Sequence, residues 1–177
     1  MTPTVLVVMG VSGSGKTTVG TRLAARLGWD FKEGDELHPP ANIAKMHRGE
    51  PLTDADRTPW LAAVAAWIDA WICQEVRGVI TCSALKHSYR HYLAEGRPAV
   101  AFVFLEGREG VLAARLARRR GHFMPASMLK SQIATLEAPT PDEPVIRLDA
   151  DQPIEAQVDA VANAITAGDN LSSGEQA

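Results

Sequence analysis

Residues 10–17 of the chain read Gly-Val-Ser-Gly-Ser-Gly-Lys-Thr, which matches the pattern G-x-x-x-x-G-K-T. The β-type run Val5–Met9 comes directly before this segment, and a helical run over 18–27 follows it. A strand that enters a helix through a glycine turn directs several backbone N–H groups at one anion. The sequence therefore predicts a loop that binds the phosphates of a nucleotide. A glycine-rich turn without a ligand is the weaker alternative.

The residue types of this loop indicate separate roles. Glycine lets the backbone curl where a Cβ atom would clash. A lysine here reaches the β and γ phosphates, and the threonine hydroxyl ligates the Mg²⁺ ion that accompanies a nucleoside triphosphate. We assign Lys16 to catalysis as well as to nucleotide binding, and Thr17 to the metal. The predicted nucleotide-binding residues are Gly10, Ser12, Gly13, Ser14, Gly15, Lys16, Thr17 and Thr18.

Length and strand spacing predict a single α/β domain. A chain of 177 residues, 46% of them hydrophobic, is long enough to bury one core. Strand-like runs alternate with helical patterns, and continuous apolar runs suit parallel strands that are buried on both faces. The strand-like runs lie at 5–9, 29–32, 78–82, 100–105 and 145–148. We predict three layers, with a five-stranded parallel sheet and helices on both faces. The domain spans 1–167, and 168–177 is predicted to be a disordered tail.

Charge and cysteine usage exclude several classes of protein. The net charge of −3 argues against nucleic acid as the main partner. No secretory signal or membrane-length apolar run is visible, so we expect a cytoplasmic protein without a membrane partner. Cys73 and Cys82 lack the spacing of metal ligands and are predicted to be buried, reduced thiols.

The acidic segment 33–36 is the predicted source of the catalytic carboxylates. The strand at 79–82 ends in Ser83, without the Asp that many ATPases and GTPases place there. The segment follows the second strand, at the carboxyl edge of the sheet where α/β ligand sites form. We assign Glu33 to Mg²⁺, and Asp35 to accepting the proton of the attacking hydroxyl. The alternative for this segment is a solvated acidic turn without a function. For the whole protein, a GTPase switch is a weak second interpretation, because the sequence lacks the N-K-x-D motif that recognises guanine.

An arginine cluster at 115–120 leads into Gly121. Basic residues in a last helical turn also stabilise the helix dipole, which is the simpler explanation. Four arginines before a glycine hinge nevertheless favour a mobile lid, at about 118–126, that closes over a triphosphate. Arg120 is the predicted catalytic arginine of this lid.

Further along the chain, Thr53 is the predicted N-cap of a helix that runs to about residue 75. Trp60, Trp67 and Trp71 recur in it at helical spacing and are predicted to lie in the core.

Several ordered motifs together resemble the small bacterial-type gluconokinases, which belong to the shikimate kinase-like P-loop kinases. The match runs from about residue 5 to 150, and only its phosphate loop is generic. The motifs are 9–16, G-D-E-L-H-P at 34–39, N-I-A-K-M at 42–46, P-L-T-D-A-D-R-T-P-W-L at 51–61, C-S-A-L-K at 82–86, R-R-G-H-F-M at 119–124, S-Q at 131–132 and L-E-A-P at 136–139. The resemblance implies a P-loop kinase fold and transfer of the ATP γ-phosphoryl group to the 6-hydroxyl of D-gluconate. It also suggests a homodimer.

The resemblance also implies a substrate site. Gluconate is an extended polyol with a terminal carboxylate, so its site needs a cation clamp and several hydrogen-bonding groups. Candidates for the clamp are Arg57, Lys86 and Arg90, with Arg57 the strongest because its planar fork suits a carboxylate. Candidates for the hydroxyl groups are Asp35, His38, His122, Gln132 and Glu137.

By the same similarity, Arg115 stacks on the adenine base and the loop near Pro153 covers its other face. Glu33 stands where the family pattern usually has Asp.

Two alternative functions remain. The nearest is that of another small-metabolite kinase of the same fold, of the shikimate or nucleotide kinase type. A nucleotide-binding switch without catalysis is the more distant one.

Overall fold

The computed structural model of the chain describes residues 2–118 and 126–173. In chain order, its elements are β1 (Val5–Met9), α1 (Lys16–Leu27), β2 (Asp30–Lys32), a short 3₁₀ helix (Gly34–Leu37), α2 (Pro40–His47), α3 (Asp54–Cys73), β3 (Gly78–Thr81), α4 (His87–Ala94), β4 (Val100–Glu106), α5 (Glu109–Arg118), α6 (Ala126–Thr135), β5 (Val145–Asp149) and α7 (Ile154–Ser173).

The five strands form one parallel sheet in the order β2-β3-β1-β4-β5. Val5 of the central strand β1 pairs with Gly78 on one side and with Val100 on the other. The predicted five-stranded parallel sheet is confirmed. Because all strands run the same way, their carboxyl ends meet at one edge, and the loops after β1, β2 and β3 lie there together.

Strand β1 explains why helices cover both faces of the sheet. Its residues Val5, Val7 and Met9 pack in the cluster that contains the inner face of α3, whereas Leu6 and Val8 pack against α1 and α7. All five are fully buried. Alternate residues of a strand point to opposite faces, so a run that is apolar throughout requires a layer on each side. The predicted three-layer architecture is thus confirmed.

Helix α3 begins where the sequence predicted. The Thr53 hydroxyl accepts a hydrogen bond from the backbone N–H of Asp56, and the Asp56 carboxylate accepts one from the backbone N–H of Thr53. This reciprocal capping box fixes the first turn of the helix. It also places Arg57 at the edge of the sheet where the functional loops lie.

Two expectations about burial are wrong. Trp60 and Trp71 lie in the core, but Trp67 is 39% exposed, with the Lys32 ammonium group 4.6 Å above its ring. Cys82 is buried, whereas Cys73 is exposed at the end of α3; both are free thiols. In each case apolar composition predicted burial, but the residue lies on the solvent side of α3.

The C-terminal boundary also differs from the prediction. Helix α7 extends to Ser173, so 168–173, assigned to a disordered tail, continues the helix. The earlier part of α7 buries Val158, Val161 and Ile165 against the sheet. Once such a helix is nucleated, each further residue adds a hydrogen bond at little cost, even in a polar sequence. Residues 174–177 lie outside the described part of the chain.

The central part of the predicted lid, including Arg120 and His122, also lies outside the described residues. Within 2–118 and 126–173, no helix combines the length and apolarity needed to cross a membrane.

Candidate active site

The phosphate loop connects β1 to α1 and contains three glycines with positive backbone φ angles. The φ angles are 142° at Gly10, 82° at Gly13 and 98° at Gly15, a conformation that other residue types rarely adopt. A Cβ atom on Gly10 would lie 2.9 Å from the carbonyl oxygen of Leu105. The loop therefore requires glycine at these positions for its shape, as the motif predicted.

Lys16 is the first residue of α1, directly after the N-cap Gly15. Because glycine has no side chain to cap the helix, the first backbone N–H groups of α1 are left for an anion at the positive end of the helix dipole. The Lys16 ammonium group donates a hydrogen bond to the carbonyl oxygen of Val11, 3.2 Å away, which folds the side chain back over the loop. This geometry suits a phosphate chain lying along the loop.

Glu33 lies between two threonine hydroxyl groups. Thr17 donates to one Glu33 carboxylate oxygen at 2.6 Å, and Thr81 donates to the other. The backbone N–H of Gly34 in turn donates to the Thr81 hydroxyl at 2.9 Å. The predicted metal residues Thr17 and Glu33 are therefore neighbours, and Thr81 at the end of β3 orients the carboxylate.

Gly34 locks this acidic turn against β3. A Cβ atom at this position would lie 1.8 Å from the carbonyl oxygen of Thr81, so only glycine permits the close approach. The indole N–H of Trp60 donates to the carbonyl oxygen of Gly34 at 2.8 Å. The turn that carries Glu33 and Asp35 is thus fixed from two sides.

One cleft brings together several of the side chains predicted for phosphoryl transfer and for the acceptor. We call it the central cleft; Lys16, Asp35, His38, Arg57 and Gln132 are among the residues that line it. They come from five separate segments: α1, the 3₁₀ helix, the loop after it, α3 and α6. A carboxylate, a lysine and an arginine around one space suit an acceptor that carries both hydroxyl groups and a negative charge.

His38 forms part of the wall of the central cleft. Its ring stacks on Trp60, with ring centroids 4.3 Å apart and planes 13° apart, and its Nδ1 lies 3.2 Å from the Asn42 amide nitrogen. Burial lowers the pKa of His38, an effect that the nearby Asp35 carboxylate opposes and the Arg57 guanidinium reinforces. The ring is therefore neutral near pH 7.

Arg57 belongs to a charged cluster shared by α3 and α4. Its guanidinium donates to the Tyr89 hydroxyl at 3.4 Å, and Tyr89 donates to the Asp54 carboxylate. Lys86 binds both oxygens of Asp54, each at 2.8 Å. The hydrogen bond from Lys86 is the main reason that the pKa of Asp54 lies below its usual value. Arg57 and Lys86, predicted as clamp residues, thus lie in one network.

Arg90 has a structural position instead. It is 1% exposed, and its guanidinium binds both Glu143 carboxylate oxygens, at 2.5 and 3.0 Å. It also donates to the backbone carbonyl oxygens of Ala84, Leu85 and Glu137. With its donors engaged below the surface, Arg90 is unsuited to a substrate carboxylate. The prediction failed because helical spacing from Lys86 does not reveal which residue of the pair is buried.

Glu137 and Gln132 both make contacts that bear on their predicted roles. The Glu137 carboxylate accepts a hydrogen bond from the backbone N–H of His87 at 2.7 Å, in the first turn of α4, and Glu137 lines an outer cleft together with Arg57 and Lys86. Gln132 accepts a hydrogen bond from the backbone N–H of Ser12 at 2.7 Å. Both residues therefore lie within the site, and each has a protein partner.

A separate pocket adjoins the outer side of the phosphate loop. Gly13, Thr18, Arg115, Ile154 and Gln157 are among its lining residues. The Arg115 guanidinium donates to the carbonyl oxygen of Ala150 at 2.6 Å, which holds it beside the loop between β5 and α7. Pro153 is an exposed residue of that loop, immediately before α7. Of the two residues predicted to contact the base, Arg115 lines the pocket, and Pro153 directly precedes Ile154, which lines it.

Sequence reasoning missed four residues that shape the site: Asn42, Asp54, Thr81 and Tyr89. Thr81 occupies the strand end where an acidic residue was sought, and Tyr89 lies one turn after Lys86 in the chain. Their places in the sequence, at the end of a strand and one turn after a candidate clamp residue, could therefore have identified both as site residues. Asn42 and Asp54 offered no such signal by residue type alone, because their roles depend on partners from other elements.

Comparison with known proteins identifies the family. The chain is 58% identical to a gluconokinase from Gluconobacter oxydans over 150 residues, which cover 85% of this chain and 84% of the relative. It is 44% identical to the thermoresistant gluconokinase of Escherichia coli over 165 residues, or 93% and 94% of the two chains. The chain belongs to the gluconokinase family. Residues 5–139 also match a family model described as an AAA domain.

Solved structures of related kinases have the same fold as this chain. A gluconokinase from Sinorhizobium meliloti superimposes with a TM-score of 0.86 at 45% identity, over 99% of both chains. A sugar kinase from a Janibacter species, solved without ligand, gives a TM-score of 0.85 at 52% identity, over 90% of this chain and 92% of that one. The predicted P-loop kinase fold is confirmed, and the protein is a kinase.

Proposed function

We propose that this protein transfers the γ-phosphoryl group of ATP to the 6-hydroxyl of D-gluconate, giving 6-phospho-D-gluconate. The observation that carries the proposal is the meeting of Lys16, Asp35 and Arg57 in one cleft of a gluconokinase-family chain. These residues supply a phosphate contact, a base and a carboxylate-binding cation. The three functions match the three chemical features of the reaction.

Asp35 is the proposed general base. It lies in the 3₁₀ helix on the turn that Gly34 fixes against β3, and it lines the central cleft with Lys16. A carboxylate held in place accepts the proton of the attacking hydroxyl as the oxygen bonds to phosphorus. Lys16 and the N–H groups at the start of α1 stabilise the negative charge on the phosphoryl oxygens.

Arg57 and Lys86 form the proposed clamp for the gluconate carboxylate. Arg57 lines both the central and the outer cleft, and Lys86 lies in the outer cleft. A guanidinium presents two parallel N–H groups to one carboxylate, which fixes the orientation of the substrate. His38, Gln132 and Glu137 are the proposed contacts for the hydroxyl groups. Arg90 is left out because it is buried in the Glu143 ion pair.

The proposed Mg²⁺ site consists of the Thr17 hydroxyl and Glu33. Both offer hard oxygen ligands, and they lie 2.6 Å apart at the start of α1, where the β and γ phosphates are expected. Such a donor set suits Mg²⁺, which binds through few protein ligands and several water or phosphate oxygens. When bound, Mg²⁺ neutralises charge on the phosphates.

Three further assignments extend the proposal. Arg115 and Pro153 hold the adenine base, because Arg115 lines the pocket beside the phosphate loop and Pro153 directly precedes Ile154, which also lines it. Arg120 and His122 act from the lid, as the sequence motif at 119–124 suggests; both lie outside the described residues. The protein works in the cytoplasm, where ATP is available, and as a homodimer, as its resemblance to the family suggests.

A coupled assay of ADP release tests the function. We expect turnover with D-gluconate, far less with stereoisomeric sugar acids or shikimate, and a ³¹P NMR signal of a phosphate ester on carbon 6. Lys16→Ala is the control, and it should abolish turnover in a folded protein. Preferred phosphorylation of shikimate or a nucleoside monophosphate, or tight nucleotide binding without turnover, would overturn the proposal.

A further inference from the structure

The orientation of the Asn42 side-chain amide is fixed by a backbone group. Asn42 lies in α2 and is 4% exposed. Its amide nitrogen donates to the backbone carbonyl oxygen of Asp56 at 2.8 Å. A carbonyl oxygen can only accept, so the NH₂ group, and not the amide oxygen, must face it. The same nitrogen lies 3.2 Å from Nδ1 of His38.

This orientation determines the proton position on His38. The two hydrogens of the Asn42 NH₂ group serve Asp56 and His38, so Nδ1 of the ring has to accept. In a neutral imidazole, an accepting Nδ1 leaves the proton on Nε2. We propose that Asn42 is a positioning residue that holds His38 as its Nε2–H tautomer, a neutral donor to an oxygen of the acceptor substrate.

The surroundings of His38 preserve this state. Stacking on Trp60, whose own N–H is bound to the carbonyl oxygen of Gly34, holds the plane of the ring, and the Asn42 amide marks the side on which Nδ1 lies. Asp35 and Arg57 are the charged groups that face the ring, and they act in opposite directions on its charge. On the far side of Asn42, the Asp56 carboxylate is paired with Lys45 at 2.7 Å. Of the two facing charges, Asp35 has the larger effect and favours the imidazolium, but burial outweighs it and keeps the pKa of His38 below its usual value.

The chemical consequence is a division of roles in the central cleft. A ring whose Nδ1 is occupied and whose Nε2 is protonated can donate a hydrogen bond but cannot take a proton from a hydroxyl group. His38 therefore orients the acceptor, and the proton goes to Asp35. The tautomer follows from the protein alone; only the identity of the bound oxygen rests on the proposed function.

Long-range ¹H–¹⁵N NMR of the intact, ligand-free protein reads the tautomer directly. At about pH 8, above the ordinary pKa of histidine, we expect the His38 signals of an Nε2–H ring; a His38→Gln spectrum assigns them. In Asn42→Asp the new carboxylate only accepts, so Nδ1 should become protonated. The control is Asn163→Asp, the same change at an exposed position of α7, and it should leave the His38 signals unchanged.

Kinetics supply a second measurement. Asn42→Asp should raise the KM for gluconate about tenfold, the effect of one lost hydrogen bond, with the KM for ATP unchanged. A wild-type spectrum with the proton on Nδ1 would overturn the inference whether or not Asn42→Asp folds. In a folded Asn42→Asp protein, a ring that stays Nε2–H would overturn it as well. An enzyme inactive on gluconate whose His38 is nevertheless Nε2–H would refute the proposed function and leave the inference intact.

Discussion

The backbone N–H of Ser12 donates to Oε1 of Gln132 at 2.7 Å, which joins the phosphate loop to helix α6. Gln132 also lines the central cleft, so one side chain contacts both the loop and the space for the acceptor. Because the amide oxygen is held by the loop, the NH₂ group of Gln132 is the part of the side chain that can donate to an acceptor hydroxyl. The position of α6 therefore affects the loop and the acceptor site together.

Replacing Gln132 tests this link. Gln132→Ala should raise the KM values for gluconate and ATP several-fold each, because one hydrogen bond to the loop and one to the acceptor are lost. Steady-state kinetics with each substrate varied in turn gives both values. Gln74→Ala, at an exposed position after α3, is the control. If only the KM for ATP increased, Gln132 would not be a contact of the acceptor.

Replacing Asp35 tests the base. Asp35→Asn keeps the size of the side chain but cannot accept the proton, so kcat should fall by about two to four powers of ten. Binding of ATP, measured by calorimetry, should change little. If ATP binding failed while turnover at saturation persisted, the roles of Asp35 and Glu33 would be reversed. Glu36→Gln, an exposed neighbour in the same 3₁₀ helix, should remain active.

The clamp assignment predicts a loss of specificity for a charged acceptor. Arg57→Lys should weaken gluconate binding markedly, because a point charge on a flexible stem cannot reproduce a bidentate fork. The ratio of kcat/KM for gluconate to that for glucitol, an uncharged polyol, is the measurement, and it should shrink. An unchanged ratio would exclude Arg57 as the clamp.

Tyr89 should support Arg57 without contributing charge. Tyr89→Phe removes the hydroxyl that connects Arg57 to Asp54, so the KM for gluconate should rise a few-fold while kcat is maintained. Tyr92→Phe is a matched control on the same helix, since Tyr92 is 44% exposed. Equal kinetics in the two variants would show that Arg57 needs no support from Tyr89.

The buried Arg90–Glu143 pair predicts a pH dependence of stability. The hydrogen bond from Arg90 is the main cause that lowers the pKa of Glu143 from 4.5 to about 2. A depressed carboxyl pKa adds stability above the unfolded value, and this is lost as the pH falls from about 4.5 towards 2. Glu143→Gln should therefore lower the free energy of unfolding by about 3–5 kcal/mol near neutral pH.

Urea unfolding across that acidic range measures the effect. Wild type should lose stability faster than Glu143→Gln as the pH falls, so that the two curves converge. Glu95→Gln serves as the control, because its ion pair with His91 is exposed. Parallel curves for wild type and Glu143→Gln would show that the pair does not control acid stability.

The sequence predicted the parts of the site that depend on local order along the chain. The glycine loop between β1 and α1 and the capping box at Thr53 were both readable, because each involves neighbouring residues. The acidic turn after β2 was placed correctly because parallel strands end at one edge. The family resemblance supplied the acceptor, which no local pattern identifies.

Roles set by tertiary burial could not be predicted. Lys86 and Arg90 share a helix face, yet one binds Asp54 near the surface and the other Glu143 in the interior. The tail beyond residue 167 has a polar composition, but the packing of α7 on the sheet extends its helix. Composition and spacing do not contain these contacts.

Arg90 also has a mechanical consequence. Its guanidinium binds the carbonyl oxygens of Leu85 and Glu137, and the backbone N–H of Glu137 donates to the same Leu85 carbonyl at 2.8 Å. The chain just after α6 is therefore fastened to the chain just before α4. Together with the hydrogen bond from Ser12 to Gln132, this attachment restrains the C-terminal half of α6.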